Sequence, residues 1–256
     1  MRILITNDDG IHAPGLLALR AALAPLGDVT AIAPERPRSA CGHAITLHKP
    51  LRLTPVKMPD GGEGFASNGT PADCIALGTS KHLGWSPDLV AAGINPGPNL
   101  GIDMIYSGTV AAATEAAICG LPSFAISVVS VGHTGFEAAS EFATLLARTV
   151  LDRKLPEGCF LNVNVPGLPR DQIAGVAFTR QGRVRYSSRV ERRTDPRGGA
   201  YYWLTGELLD HHEGPGSDIE AVSRNMISIT PVKLDFTDHS LVSGLAAWEF
   251  EWPPRQ

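Results

Sequence analysis

Arg2-Ile3-Leu4-Ile5-Thr6-Asn7-Asp8-Asp9-Gly10 is an aliphatic strand that stops abruptly in two adjacent carboxylates and a glycine. Unbroken hydrophobicity of this kind marks a strand covered on both faces, as in a parallel sheet flanked by helices. Similar short runs return at Val29 to Ala33, Asp88 to Gly93, Ser123 to Val128 and Phe160 to Val165, with helical patterns between them. The alternation predicts a doubly wound α/β fold. In open sheets of this class the ligand crevice lies at the carboxyl ends of the strands, which places Asp8 and Asp9 on its floor.

The helices follow from apolar spacing and from their ends. Leu16, Leu19, Leu23 and Leu26 form one stripe, closed by Pro25 and Gly27. A second helix begins after Thr70 with Pro71 in its first turn and runs through Ile75 and Leu77 towards Leu83. A third follows Ser107-Gly108-Thr109 with the short side chains of Val110 to Ala113, and a fourth carries Phe142, Leu145, Leu146 and Val150 on one face. From about Gly182 the character changes. Arg183 to Arg193 and Ala200 to Thr205 are predicted to pair across a turn at Asp195-Pro196-Arg197-Gly198-Gly199. An isolated hairpin is marginal in water, so one bearing Tyr201, Tyr202 and Trp203 is expected to pack on a neighbouring subunit. The alternative is a hairpin folded back on its own domain. Residues 1–181 are therefore taken as the α/β core, and 182–256 as a protruding hairpin and oligomerisation segment packing back on it.

Bulk properties narrow the partners. A chain of 256 residues suits one large core. The net charge of -4 gives no reason to bind a nucleic-acid polymer. The seven arginines from Arg180 to Arg197 are assigned to subunit contacts or solvation, with guidance of polyphosphate as the lesser alternative. Cys41, Cys74, Cys119 and Cys159 form no C-x-x-C pair, so neither a zinc ribbon nor a redox motif is indicated, and reduced thiols in a cytoplasm are expected. The N-terminus shows no secretory pattern, and no apolar stretch approaches the ~20 residues a bilayer requires, so no membrane association is expected.

Adjacent carboxylates raise one another's pKa unless a cation sits with them, and a hard divalent ion such as Mg²⁺ or Mn²⁺ suits oxygen ligands. Taken alone, Asp8-Asp9-Gly10 is equally a surface turn. Neither G-x-G-x-x-G nor G-x-x-x-x-G-K-[ST] is present, which removes a dinucleotide fingerprint and a P-loop. Two further loops leave strand ends at the crevice. Ile94-Asn95-Pro96-Gly97-Pro98-Asn99-Leu100-Gly101 offers an amide oxygen at Asn95 and leads to Ser107-Gly108-Thr109. Those three open a helix, whose free N–H groups and positive dipole end favour anions, unless Ser107 or Thr109 merely caps it. Glu35-Arg36-Pro37-Arg38-Ser39 brings a hydroxyl and two cations.

Asn7-Asp8-Asp9-Gly10, Glu35-Arg36 with Ser39, Gly69-Thr70-Pro71 with Asp73-Cys74, Gly93-Ile94-Asn95 with Gly97, Asn99 and Gly101, and Ser107-Gly108-Thr109-Val110 with Glu115 resemble the SurE family of stationary-phase survival phosphatases. The resemblance continues to Asp218-Ile219-Glu220-Ala221 and Ser228-Ile229-Thr230-Pro231. It implies a metal-dependent 5'-nucleotidase acting on nucleoside monophosphates, with 3'-monophosphates and short polyphosphate as further substrates in some members. It also implies one divalent ion per subunit on Asp8, Asp9, Ser39 and Asn95. The implied fold is a Rossmann-like three-layer sandwich with a mostly parallel sheet, plus a C-terminal β-hairpin and tail that exchange between subunits of a homodimer or homotetramer. Pro37 stands where the family often has Asn and Ala40 where it often has Gly, while Pro96 and Pro98 stiffen the Asn95 loop. These departures bear on substrate preference more than on the reaction.

The catalytic set expected on this reading is Asp8, Asp9, Asn95 and Ser107, with Asn99, Ser107, Gly108 and Thr109 holding substrate. His12 and His43 are left outside it, and no leaving-group acid is evident. Competing readings are a receiver-like module, an aspartyl phosphatase, and a nucleotide-binding protein without turnover. Asn95 lacks the carboxylate a receiver needs, and an aspartyl nucleophile is usually one of two Asp spaced by one residue.

Overall fold

The structure is a computed structural model that describes residues 1–129, 135–186, 189–205, 208–212 and 214–248. The chain runs β1 (Arg2–Thr6), α1 (Pro14–Leu23), β2 (Asp28–Pro34), β3 (Leu53–Lys57), β4 (Glu63–Ser67), α2 (Pro71–Gly78), β5 (Leu89–Pro96), α3 (Asp103–Tyr106), α4 (Gly108–Ile118), β6 (Ser123–Val129), α5 (Glu137–Arg153), β7 (Cys159–Pro166) and β8 (Gly175–Phe178). It continues through β9 (Arg183–Tyr186), β10 (Arg189–Thr194), β11 (Ala200–Thr205), β12 (Leu208–His212), α6 (Asp218–Ser223), β13 (Met226–Lys233) and α7 (His239–Leu245).

All five anticipated strands form, and β2, β1, β5, β6 and β7 lie parallel at the centre of a nine-stranded sheet ordered β3-β4-β2-β1-β5-β6-β7-β13-β8. Their burial on both faces explains the unbroken hydrophobicity: Ile3, Leu4 and Ile5 are all fully enclosed, with Ile3 and Ile5 in the α1/α5 layer and Leu4 in the α2/α4 layer. β13, at the far end of the sequence, enters this sheet antiparallel to β7 and parallel to β8.

Helix α1 buries Leu16, Leu19 and Leu23 as expected, then tightens into a turn at Ala24 to Leu26. Helix α2 starts at Pro71 but stops at Gly78 and does not reach Leu83. The hydroxyls of Thr79 and Ser80 donate to the carbonyls of Ile75 and Leu77, and such local bonds compete with helix continuation. The stripe expected on α5 is also corrected. Leu145 is exposed, and the buried line is Ala139, Ala143, Leu146, Ala147 and Val150. Alanines allow α5 to lie close on α1, where Thr144 Oγ1 donates to Ala22 O at 2.8 Å.

Close approach is sharpest at Gly15, in the first turn of α1, where a Cβ would stand 1.9 Å from the Ile94 carbonyl oxygen. Gly15→Ala is therefore expected to push α1 away from β5 at a cost of about 2 kcal/mol or more, lowering Tm by roughly 5 °C in a thermal melt.

The arm differs from the single hairpin anticipated. β10 pairs with β11 across the turn, which Asp195 holds by accepting from the N–H groups of Arg197 and Gly199 at 2.8 Å. β9, the other half of the expected first strand, pairs instead with β12. Residues 187–188, between β9 and β10, lie outside the described residues. Both ladders stand apart from the large sheet, and Tyr202, Trp203 and Leu204 are exposed, so among the described residues the hairpin is not folded back on its own core. No described helix is long and apolar enough to cross a membrane.

Candidate active site

Strand register assembles the crevice. Thr6 lies opposite Ala92 in the parallel pair β1 and β5, so Asp8 and Asp9, just beyond Thr6, and Asn95, just beyond Ala92, leave the same edge. Between Ala92 and Asn95 the pairing of β5 with β6 shifts register, and Gly93 takes φ +136° with room for no side chain, since a Cβ would stand 2.3 Å from Ile126 O. An irregularity of this kind re-aims the next side chain. Asn95 Nδ2 donates to Gly97 O at 2.8 Å, which leaves its amide oxygen as the group to offer a ligand.

Asp8 is 5% exposed and accepts Thr109 Oγ1 at 2.7 Å. Helix α4 begins hard against it: a Cβ on Gly108 would stand 2.8 Å from Asp8 Cβ, so only glycine fits. Burial drives the Asp8 carboxyl above its usual pKa, offset in part by the Thr109 hydroxyl and by the N–H groups of Thr109 and Gly108. Asp9 is pushed up to about 6 by burial and then by the charge of Asp8. Its Oδ2 is buried with no hydrogen-bond partner. Among the described residues neither carboxylate forms an ion pair with Lys or Arg.

Ser39 is held between two fixed points. Arg38 N donates to Asp8 O at 2.6 Å on one side, and Gly42 N donates to Tyr106 O at 2.9 Å on the other. The loop is then fastened to α2, where Asp73 accepts from Thr46 N, Thr46 Oγ1 and Thr70 N at 2.9, 2.6 and 2.9 Å. Asp73 and Thr70 also complete a capping box, which gives the Gly69-Thr70-Pro71/Asp73 motif its physical content.

Ser107 caps α4, accepting Val110 N at 3.1 Å, and Thr109 is engaged by Asp8. The anion facing this helix terminus in the folded chain is thus the Asp8 carboxylate itself. Asn99 is buried within a network: its N–H donates to Asn164 Oδ1, its carbonyl accepts from Asn162 and Asn164 Nδ2, and its own Nδ2 reaches Ser127 Oγ at 2.8 Å. The next turn is fixed by Asp218, which takes Gly101 N at 2.9 Å, and by Gln181, which donates to Gly101 O at 2.8 Å. Sequence reasoning missed these supports, although Asn162 and Asn164 at alternate positions of the apolar run Phe160 to Val165 are the visible signal. His43 pairs with Glu115 at 2.7 Å. His12 instead borders a hollow beside Asp9. All four cysteines are free.

Fold and site together define a doubly wound α/β protein with a paired-carboxylate crevice facing a helix N-terminus. The family model described as Survival protein SurE matches residues 3–188, and the chain belongs to the SurE family. The 5'-nucleotidase SurE of Moorella thermoacetica is 50% identical over 255 residues, covering 99% of this chain and 98% of that protein. That of Geobacter sulfurreducens is 48% identical over 250 residues, covering 97% and 94%. The crystal structure of the SurE protein from Aquifex aeolicus superposes with a TM-score of 0.82 at 39% identity, covering 96% of this chain and 98% of that one.

Proposed function

We propose that this chain is a metal-dependent 5'-nucleotidase that hydrolyses nucleoside 5'-monophosphates to nucleoside and phosphate. The observation that carries the reading is the unpaired carboxylate couple, with Asp9 Oδ2 buried and orphaned beside Asp8 at the strand edge. An enclosed acceptor without a donor costs on the order of 1–3 kcal/mol, and a divalent cation relieves it. Asp8, Asp9, Ser39 and Asn95 are an all-oxygen donor set that fits Mg²⁺ or Mn²⁺.

When bound, the ion supplies Lewis acidity towards a phosphoryl oxygen and its attacking water. The protein's own part is positioning. The start of α4, with Ser107, Gly108 and Thr109, turns its positive end towards the charge that develops on phosphate, and Asn99 sits in the rigid loop alongside. Asp8 or Asp9 would steer the proton of the attacking water. The arm from residue 182 onward serves self-association into a homodimer or homotetramer, while β13 returns to the sheet of the 1–181 core. Phosphate release from nucleoside 5'- and 3'-monophosphates, polyphosphate and an aryl phosphate, run with Mg²⁺, Mn²⁺ or chelator, tests the assignment. Nucleotide binding without release in any metal would leave a binding protein instead.

The raised carboxyls give a pH test. A folded-state pKa above the unfolded value means that ionising Asp9 costs stability as pH rises from about 4 through about 6. Bound cation reverses that cost. The rise in Tm on adding Mn²⁺ should therefore be at least roughly twofold larger at pH 7.5 than at pH 5. An equal rise at both values would remove the cation from between these two side chains.

A further inference from the structure

Beyond Asp9, between the start of α1 and the loop that follows β5, lies a hollow of about 690 Å³. That is far more room than a phosphate group needs, and it falls within the range of about 300–1,000 Å³ usual for small-molecule sites. Asp9 forms part of its wall, so the hollow borders one carboxylate of the pair.

Its chemistry is selective. Pro14, Pro37 and Pro96 supply rigid apolar surfaces, and the half-buried Phe136 supplies an aromatic ring. Such walls hold a flat ring system with little loss of side-chain freedom. His12 and Glu35, both exposed, are the polar groups available besides Asp9. No Lys or Arg is among the described lining residues, and two of the lining groups are carboxylates. A polyanion finds no counter-charge there.

Resting on the nucleotidase reading above, we infer that this hollow is the leaving-group subsite: it takes the base and sugar of the nucleotide between Phe136 and the proline walls and disfavours a polyphosphate chain. Wall area also makes a purine the better occupant than a pyrimidine.

The test compares kcat/KM for AMP with that for glycerol phosphate, which carries the same ester without a ring, in wild type, Phe136→Leu and Pro37→Asn. Phe136→Leu keeps an apolar side chain against the core, and Pro37 is exposed, so a thermal melt should show both variants folded. The expected result is a wild-type preference for AMP that falls about 5–10-fold in Phe136→Leu and less in Pro37→Asn, carried mainly by KM. CMP should trail AMP, and polyphosphate should trail both. If wild type cleaves AMP and glycerol phosphate alike, or if both variants keep the wild-type ratio, the subsite is elsewhere while the phosphatase reading stands. If wild type releases phosphate from neither ester, the nucleotidase reading itself fails.

Discussion

Asp8→Asn is expected to lower metal-dependent phosphate release by about a thousandfold or more, yet leave the apo-protein at least as stable as wild type at neutral pH. The two halves of this expectation have one cause. Asp8 is enclosed and its charge is desolvated, so its ionised form is a liability to the fold that α4 only partly offsets. An asparagine retains an oxygen to accept Thr109 Oγ1 and removes the charge that helps hold the Asp9 carboxyl near 6. Asp9 should then titrate closer to an ordinary carboxylate, and melting in chelator should show no loss. The Mn²⁺-induced rise in Tm should shrink sharply, because a single carboxylate holds a divalent ion far less well than a pair. A residue kept at a cost to stability signals a role in function. Near wild-type turnover in Asp8→Asn would remove Asp8, and the paired-carboxylate site with it, from the chemistry. A large loss of apo-stability would make Asp8 a structural residue first.

The crevice was legible from sequence because it obeys a local rule. An aliphatic run ending in Asp8-Asp9, and another ending in Asn95, each announce a strand end, and parallel strands put their ends together whatever lies between. The resemblance to SurE then named the same residues from motif order. What stayed hidden depends on contacts remote in sequence. Nothing near Asp73 shows that it fastens Thr46, and nothing near Asn99 shows that Asn162 and Asn164 enclose its peptide group. The entry of β13 beside β7 is equally invisible, since an antiparallel partner can come from anywhere along the chain. Leu145 misled because hydrophobicity alone cannot tell a core stripe from an apolar residue left outside, whereas the alanines at 139, 143 and 147 mark where α5 lies close to its neighbours. At the helix terminus expected to receive an anion, Ser107 caps α4 and the positive end faces Asp8, so any phosphate there would share it with a carboxylate of the chain itself.

Asp218→Ala should be the most disruptive single change outside the carboxylate pair, lowering Tm by roughly 10 °C and reducing kcat in whatever fraction remains folded. Its carboxylate is fully buried and accepts three backbone donors: Gly101 N at 2.9 Å, Gly182 N at 2.7 Å and Ile219 N at 2.9 Å. Truncation leaves three enclosed N–H groups unsatisfied. At about 1–3 kcal/mol each, even partial relaxation leaves a loss of about 3–5 kcal/mol, and a chain of this size melts about 2–4 °C lower per kcal/mol. Stability is only half of the effect. Gly101 ends the loop that begins at Asn95, and Gly182 begins the arm, so one side chain joins the root of the arm to the crevice. A Cβ at Gly182 would stand 2.6 Å from Asp218 Oδ1, which makes Gly182→Ala a second way to disturb the same junction without touching the carboxylate. If Asp218 acts through the loop, both variants should lower kcat more than they raise KM, and the Gly101 amide should exchange with solvent faster in each. If Asp218→Ala melts lower but keeps its kcat in the folded fraction, the residue braces the arm alone and the coupling to the Asn95 loop is absent.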